Sequence, residues 1–309
     1  MWSAGAAAGP RAVLVGLIGR GIQLSRTPFM HEVEGRAQGL SYVYRLLDID
    51  RMGTTPPALG DILRFAEHFG FSGFNVTFPF KQEILPLLDE LSPAARDLGS
   101  VNTVILKDGR RRGHNTDMWG FRESFRRGMA GAKIDTVLLL GAGGAGVAVA
   151  HALLDLGAGC VVVHDVEAAR GEALAARLAA RFGAGRAEAG RDLADAVQDA
   201  DGIVNATPVG MAKLPGTPLP TRLLKSAQWV ADIVYFPLET ELLRQARQLG
   251  CRTLSGEGMA VWQAVRAFEH FTGLVPDVDR MKAAFAAFDG VPAQAGTMPA
   301  AKAAGSAGF

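Results

Sequence analysis

Thr136-Val137-Leu138-Leu139-Leu140-Gly141-Ala142-Gly143-Gly144-Ala145-Gly146 decides the fold class of this 309-residue chain. The unbroken apolar run predicts a strand buried on both faces, as parallel sheets require. The glycine turn after it opens a helix predicted over 145–156, and Gly157 stops that helix. Cys160–His164 predicts the next strand, and Asp165 stands at its end. Strand, glycine turn, helix, and an acid about 20 residues further on form a dinucleotide fingerprint. A glycine-rich turn alone is weak evidence; the complete context makes a purely structural turn the poorer reading. Gly141 supplies the tight turn, Gly143 lets a pyrophosphate approach the backbone, and Gly146 lets helix and strand pack closely. The helix N-terminus then receives the anion. The whole loop, Gly141, Ala142, Gly143, Gly144, Ala145 and Gly146, is assigned to cofactor binding.

Asp165 selects the dinucleotide. A carboxylate there accepts hydrogen bonds from the adenosine ribose and repels a 2′-phosphate, which favours NAD. Arg170 lies close enough in sequence to swing towards a 2′-phosphate, which leaves weak NADP use open. Beyond the second strand, helix 167–182, strand 186–189, helix 192–199, strand Gly202–Ala206 and strand Trp229–Val234 continue a β-α alternation. Asn205-Ala206-Thr207-Pro208-Val209-Gly210-Met211 then falls at the carboxyl end of a strand, where open α/β sheets bind ligands. Thr207, Pro208 and Met211 are candidate cofactor contacts there, although a plain turn suits the same residue types.

Upstream of the fingerprint lie three polar clusters, each at the exit of a predicted strand. Gly73-Phe74-Asn75-Val76-Thr77-Phe78-Pro79-Phe80-Lys81 ends on a lysine placed just past a proline, at an expected helix start. Val101-Asn102-Thr103 follows, and Asn115-Thr116-Asp117 closes the set. A cation is slightly unfavourable at a helix N-terminus, whereas a carboxylate suits one. Singly, Lys81 and Asp117 read as structural; together with Asn75, Thr77, Asn102 and Asn115 they read as an acid/base pocket for a small polyol. Further upstream, Val13–Ile18 predicts a first strand, Ser41–Ile49 a second and Phe74–Thr77 a third, with a helix over Leu59–Phe69. Thr27 offers an N-cap hydroxyl before Pro28. Ser25 and Thr27 together suit either that cap or a carboxylate cradle. Ser92-Pro93 starts a short helix ending at Gly99, and Asp108-Gly109 predicts a hairpin turn between Val101–Leu106 and Arg111–His114. After Ser255 the pattern is helical, over 258–271 and 277–288, and these helices are expected to fold back onto the first domain.

The resulting organisation is a two-domain α/β protein. It comprises a loose tail at 1–10, a substrate and catalytic domain at 11–122, and a Rossmann-type doubly wound parallel sheet at 123–254. Returning helices at 255–290 and a second loose tail at 291–309 complete it. With 32 Lys and Arg against 31 Asp and Glu, no charge bias points to nucleic acid or an anionic membrane. No apolar run approaches a membrane span, and the N-terminal stretch lacks the basic start of a signal peptide. The two cysteines, Cys160 and Cys251, read as reduced thiols of a cytoplasmic protein. The histidines show no metal-ligand spacing and no nucleophile motif is present, so no metal and no covalent intermediate are expected.

These motifs, in this order over residues 12–288, resemble the shikimate dehydrogenase family. The carrying stretches are Ser25-Arg26-Thr27-Pro28, Asn75-Val76-Thr77-Phe78-Pro79-Phe80-Lys81, Val101-Asn102-Thr103, Asn115-Thr116-Asp117 and Gly141–Gly146. Two departures from the biosynthetic NADP-dependent pattern stand out. Ser25-Arg26-Thr27-Pro28 replaces Ser-x-Ser-Pro, and His164-Asp165-Val166 replaces an Asn-Arg-Thr phosphate clamp. Both look like the NAD-dependent quinate/shikimate dehydrogenases, as does Tyr42-Val43-Tyr44-Arg45. The resemblance implies that Ser25 and Thr27 bind a substrate carboxylate. It implies that Thr77, Asn102, Asp117, Lys81 and Gln263 hold ring hydroxyls, with Tyr235 reaching in from the cofactor domain. Gly256, Gly258 and Met259 are implied near the nicotinamide, and Asn75 as a support for its loop.

The implied reaction is reversible NAD-dependent oxidation of quinate and shikimate, with Lys81 and Asp117 as the acid/base pair. The carboxylate is expected to keep the ammonium charged, so alcohol oxidation should speed up as pH rises. The partner is a cyclic polyol carboxylate, and the protein a monomer or homodimer. A shikimate-only or aminoshikimate enzyme is the neighbouring alternative. A non-catalytic dinucleotide sensor is the alternative of a different class, disfavoured by the intact Lys81/Asp117 pair. A folate-dependent two-domain dehydrogenase offers no reason for the Asn-Thr-Asp clusters.

Overall fold

The computed structural model describes residues 11–190 and 192–288. The tails expected at 1–10 and 291–309 lie outside the described residues. From the N-terminus, β1 (Ala12–Gly19) leads into α1 (Thr27–Ala37), β2 (Ser41–Asp48), α2 (Leu59–His68) and β3 (Gly73–Val76). The short β4 (Glu90–Leu91) and α3 (Pro93–Leu98) follow, then the hairpin of β5 (Thr103–Lys107) and β6 (Arg110–His114). α4 (Asp117–Gly128) carries the chain to the fingerprint strand β7 (Thr136–Leu140). Beyond it come α5 (Gly144–Asp155), β8 (Cys160–His164), α6 (Ala168–Phe182), β9 (Ala187–Ala189) and α7 (Leu193–Asp199). β10 (Gly202–Asn205), β11 (Trp229–Asp232), α8 (Glu241–Gln248) and β12 (Arg252–Leu254) precede the last helices, α9 (Glu257–Thr272) and α10 (Val278–Ala287).

The strands form two six-stranded sheets. In the first, ordered β2-β1-β3-β5-β6-β4, β1 is parallel to β2 and β3, whereas β5 is antiparallel to both its neighbours. The second runs β12-β11-β10-β7-β8-β9 and is parallel throughout. Its order reverses between β7 and β10, so the loops after those two strands flank the crevice where doubly wound sheets bind nucleotides. The expected fold class is therefore observed.

Why the two sheets hold together is written in α4 and α9. Phe121, Phe125 and Met129, in and just after α4, enter one core with β7 and α5. On its other side α4 meets α9 so closely that a Cβ on Gly120 would sit 2.8 Å from the Gln263 nitrogen. α9 then lays Ala267, Phe268 and Phe271 against Val13, Val15, Tyr42 and Tyr44 of the first sheet. α10 joins through Met281 and Phe285, packed with Met30 of α1. The buried carboxylate of Glu34 fixes that helix, accepting from Arg280 at 2.7 Å and from the Asp277 N–H at 3.0 Å.

Two local expectations need correction. Thr27 is the first helical residue, not the N-cap; Arg26 occupies the cap without a side-chain bond. Pro28 at the next position has no N–H for a cap hydroxyl to satisfy. Ser25 Oγ instead lies 3.4 Å from the Thr27 N–H. Lys81 lies in a run of turns, not at a helix start. β4, α8 and β12 were not foreseen; in α8, Glu241, Arg244 and Arg247 on the exposed face hide the buried Leu242, Leu243 and Ala246.

Candidate active site

The turn after β3 delivers Lys81, and its carbonyl is fixed by the Val101 N–H at 2.8 Å, one residue before Asn102. Asp117 opens α4, where Asn115 Oδ1 accepts the Asp117 N–H at 3.0 Å. Asn115 Nδ2 in turn donates to Ser100 Oγ at 3.0 Å, so Asn115 shapes the backbone around the site. Thirty-six positions apart in sequence, Lys81 Nζ and Asp117 Oδ2 meet at 2.6 Å, with side chains 22% and 10% exposed. The other Asp117 oxygen accepts from Asn102 Nδ2 at 2.9 Å. Asn102 is held in that orientation because its Oδ1 accepts the Thr116 N–H at 2.8 Å. A charged, hydrogen-bonded pair that still reaches solvent is suited to exchange protons with a bound molecule.

The structure places the other predicted residues as follows. Thr77 follows β3 directly, with its N–H donating to the Ile18 carbonyl of β1 at 2.9 Å. Ser25 and Thr27 stand at the start of α1, which follows the same end of β1. Tyr235, in the loop after β11, is partly exposed, with its ring edge-on to that of Phe285, 6.3 Å between centroids. Enough protein surrounds it that desolvation raises its phenol, and Lys81, Asp117 and Arg26 all lie within electrostatic reach. Gln263 packs in α9 beside Gly120, one turn along α4 from Asp117, and its side-chain amide donates to the Ala260 carbonyl at 3.0 Å.

The glycine turn has the geometry that a pyrophosphate needs. Gly141 adopts φ +98°, and a Cβ on Gly146 would lie 2.0 Å from the Gly141 carbonyl oxygen. No atom lies within 4 Å of a Cβ built on Gly143 or Gly144, so the N-terminus of α5 faces open space. Ala142 and Ala145 flank that space, half-buried. Asp165 Oδ2 accepts the Ala142 N–H at 2.7 Å, which ties the end of β8 to the turn. Arg170 pairs with Glu167 at 3.2 Å on the exposed side of α6. Across the crevice, Asn205 Oδ1 accepts the Thr207 hydroxyl at 2.7 Å, and Asn205 Nδ2 donates to Asp232 at 3.0 Å. Burial raises the Asp232 carboxyl, opposed by bonds from Thr240, Val234 and Asn205. This buried network holds the Thr207-Pro208 loop, and Met211 lies exposed beyond it. These residues fit a dinucleotide.

Gly256 and Gly258 have plain packing duties. A Cβ on Gly256 would meet the Ile233 carbonyl oxygen at 2.4 Å, and one on Gly258 the Ser124 hydroxyl at 2.1 Å. Met259 is buried beside α4. Sequence reasoning missed Asp232 as the anchor of the Thr207 loop and Arg26 as more than a motif letter. Arg26 is buried, donates to the Phe285 carbonyl at 2.8 Å and stacks 4.6 Å from that ring. A charged residue between two hydroxyl residues was the only signal. Among the described residues no group of three metal-ligating side chains occurs, and no helix is long and apolar enough to cross a membrane.

Comparison with known proteins accords with this geometry. The family model for the shikimate dehydrogenase substrate binding domain matches residues 17–104. That for the shikimate 5'-dehydrogenase C-terminal domain matches 256–284. A shikimate dehydrogenase (NADP(+)) of Streptomyces avermitilis is 56% identical over 282 residues, 91% of this chain and 97% of its own. The chain belongs to the shikimate dehydrogenase family. The stretch between the two matches, residues 123–230, fits the model for the alanine dehydrogenase/PNT C-terminal domain. A quinate/shikimate dehydrogenase (NAD(+)) of Corynebacterium efficiens is 48% identical over 277 residues, covering 89% of this family member and 98% of its own length. The solved quinate dehydrogenase of Corynebacterium glutamicum in complex with NAD superposes with a TM-score of 0.86 at 47% identity, covering 90% of this chain and 99% of its own. The family makes this protein an oxidoreductase. Its relatives divide between the two dinucleotides, so the cofactor must be argued from Asp165.

Proposed function

We propose that this family member oxidises quinate and shikimate reversibly at a ring hydroxyl, with NAD as its cofactor. The observation that carries the reaction is the 2.6 Å Lys81–Asp117 pair, braced by Asn102 and approached by Tyr235. The observation that favours NAD is the Asp165 carboxylate on the glycine turn. Its two oxygens accept from Ala142 and Glu167 and retain lone pairs for ribose hydroxyls, while a 2′-phosphate would meet like charge. The Arg170 pairing with Glu167 supports the same choice.

The glycine turn and the N-terminus of α5 would hold the pyrophosphate of NAD, which when bound would supply the hydride acceptor for the alcohol carbon. The chain's own residues orient the substrate and move the proton. Ser25, Thr27 and the N–H groups at the start of α1 hold the substrate carboxylate. Thr77, Asn102 and Gln263 take ring hydroxyls, and Tyr235 closes the cleft edge. In reduction the Lys81 ammonium donates its proton to the developing alkoxide; in oxidation the Lys81–Asp117 pair receives the hydroxyl proton. Asp117 holds Lys81 in place and carries the compensating charge.

Initial rates at 340 nm with NAD and NADP, each against quinate, shikimate and the aminated analogue, test this reading. NAD-linked turnover of quinate and shikimate is expected. Preference for NADP overturns the cofactor assignment, and turnover of shikimate alone overturns the substrate range.

A further inference from the structure

We propose that Tyr44 is a positioning residue for the acid/base pair, acting along a one-way chain of hydrogen bonds through Asn75, Thr103 and Asn102. The inference rests on the reading that Lys81 and Asp117 move the proton.

The chain can be followed atom by atom. Tyr44 OH donates to Asn75 Oδ1 at 2.8 Å. With its oxygen taken, the Asn75 amide must present Nδ2 inward, and it donates to Thr103 Oγ1 at 3.1 Å and to the Asn102 carbonyl at 3.3 Å. Thr103 Oγ1, having accepted, turns its own hydrogen to Asn102 Oδ1 at 3.0 Å. The Asn102 oxygen, which also accepts the Thr116 N–H at 2.8 Å, leaves the Asn102 Nδ2 to face Asp117 Oδ1 and Thr116 Oγ1, each at 2.9 Å. Every donor points towards Asp117. All four links before the carboxylate are buried.

That burial makes the direction matter. An amide in solvent can flip and recover its bonds from water; an amide sealed in the core cannot. Without the phenol hydroxyl, Asn75 Oδ1 is left without that donor, and the amide that braces Thr103 Oγ1 and the Asn102 carbonyl loses its anchor. Thr103 and the Asn102 main chain are then held less firmly; the Thr116 N–H still donates to Asn102 Oδ1 at 2.8 Å, so the Asn102 amide keeps its orientation while its contact with Asp117 loosens. The Tyr44 ring itself is held edge-on against His31, 5.2 Å between centroids, and its N–H donates to Glu32 at 2.9 Å. Tyr44→Phe therefore removes a hydroxyl while leaving the ring and the strand in place.

The test is the single-turnover rate of dinucleotide reduction in full-length Tyr44→Phe, Thr103→Val, Thr103→Ser and the Tyr44→Phe/Thr103→Val double variant. Tyr44→Phe should slow the step about five-fold, the equivalent of one buried hydrogen bond, with KM within about two-fold. Thr103→Val should slow it similarly, and Thr103→Ser, which keeps the hydroxyl, should not. Once Thr103→Val has cut the chain, Tyr44→Phe should add no further loss. Unchanged turnover in Tyr44→Phe, or losses that multiply in the double variant, overturn the proposal. If Tyr44→Phe does not fold, the Thr103 pair decides, and equal rates for Val and Ser overturn it. Lys81→Ala separates the two readings. Full turnover there removes the acid/base assignment itself, whereas an inactive Lys81→Ala beside an unimpaired Tyr44→Phe removes only the positioning role.

Discussion

The Asp165 carboxylate accepts the main-chain N–H of Ala142 at 2.7 Å. One side chain therefore shapes the glycine turn and, in the function proposed, sets the charge that the adenosine ribose would meet. Asp165→Ser should lower kcat/KM for NAD and raise it for NADP, moving the ratio by about 100-fold. Steady-state kinetics with both dinucleotides measure it. A ratio that stays put assigns cofactor choice elsewhere.

Removing the cation of the acid/base pair should be costlier. Lys81→Ala is expected to reduce kcat by about two orders of magnitude or more, the usual scale of lost general acid/base catalysis. Binding of NAD, followed by calorimetric titration, should be unchanged, because Lys81 follows a strand of the first sheet and the glycine turn a strand of the second.

Two glycines of the turn should respond differently to alanine. At Gly146 the new Cβ would lie 2.0 Å from a main-chain carbonyl oxygen, so the turn must shift, at a cost of about 1–3 kcal/mol. At Gly143 nothing lies within 4 Å. Gly146→Ala should lower both Tm and NAD affinity, and Gly143→Ala the affinity alone. A fall in Tm for Gly143→Ala would contradict the open space assigned to the pyrophosphate.

Stability should fall in mild acid through His31. Burial pushes its imidazole down to about 3, the Ala264 carbonyl offsetting only part. In the unfolded chain the same group titrates near ~6.5. Between those values unfolding takes up a proton that the folded state excludes, so stability declines as pH drops from ~6.5 towards ~3. One such proton contributes a slope of up to about 1.4 kcal/mol per pH unit. Urea unfolding from pH 7 to 5 should show it, and His31→Gln should reduce the slope by one proton's share, leaving the part owed to His114, His151 and His270, which burial also lowers.

The carboxylate of Glu34 is fully buried, and Arg280 is its cationic partner. Arg280→Met leaves it with the Gln38 amide and the Asp277 N–H, which should cost about 1–3 kcal/mol. A wild-type urea midpoint for this variant would show that the pair contributes nothing to holding α10.

Much of this was legible from residues alone. Strict glycine demands at Gly141 and Gly146 come from local geometry, so the β7–α5 turn can be read without tertiary information. The same holds for the Asp108-Gly109 turn, where both residues adopt positive φ. Lys81 and Asp117 were legible as a pair only because their flanking Asn and Thr residues had no reason to recur at three strand exits. The Tyr44 chain was not legible. Nothing in a strand's alternation says that a tyrosine's hydroxyl, rather than its ring, selects the position. Nor could Thr27 be separated from a cap, since hydroxyl, proline and helix start look alike until the backbone angles of Arg26 are known.

The return of α9 and α10 has a consequence for biogenesis. Val13, Val15, Tyr42 and Tyr44 find their cover in Ala267, Phe268 and Phe271, more than two hundred residues later. During synthesis the first sheet must wait, one apolar face bare, until the ribosome has released nearly the whole chain. A nascent chain stalled before α9 would expose that face and be a natural client for a chaperone.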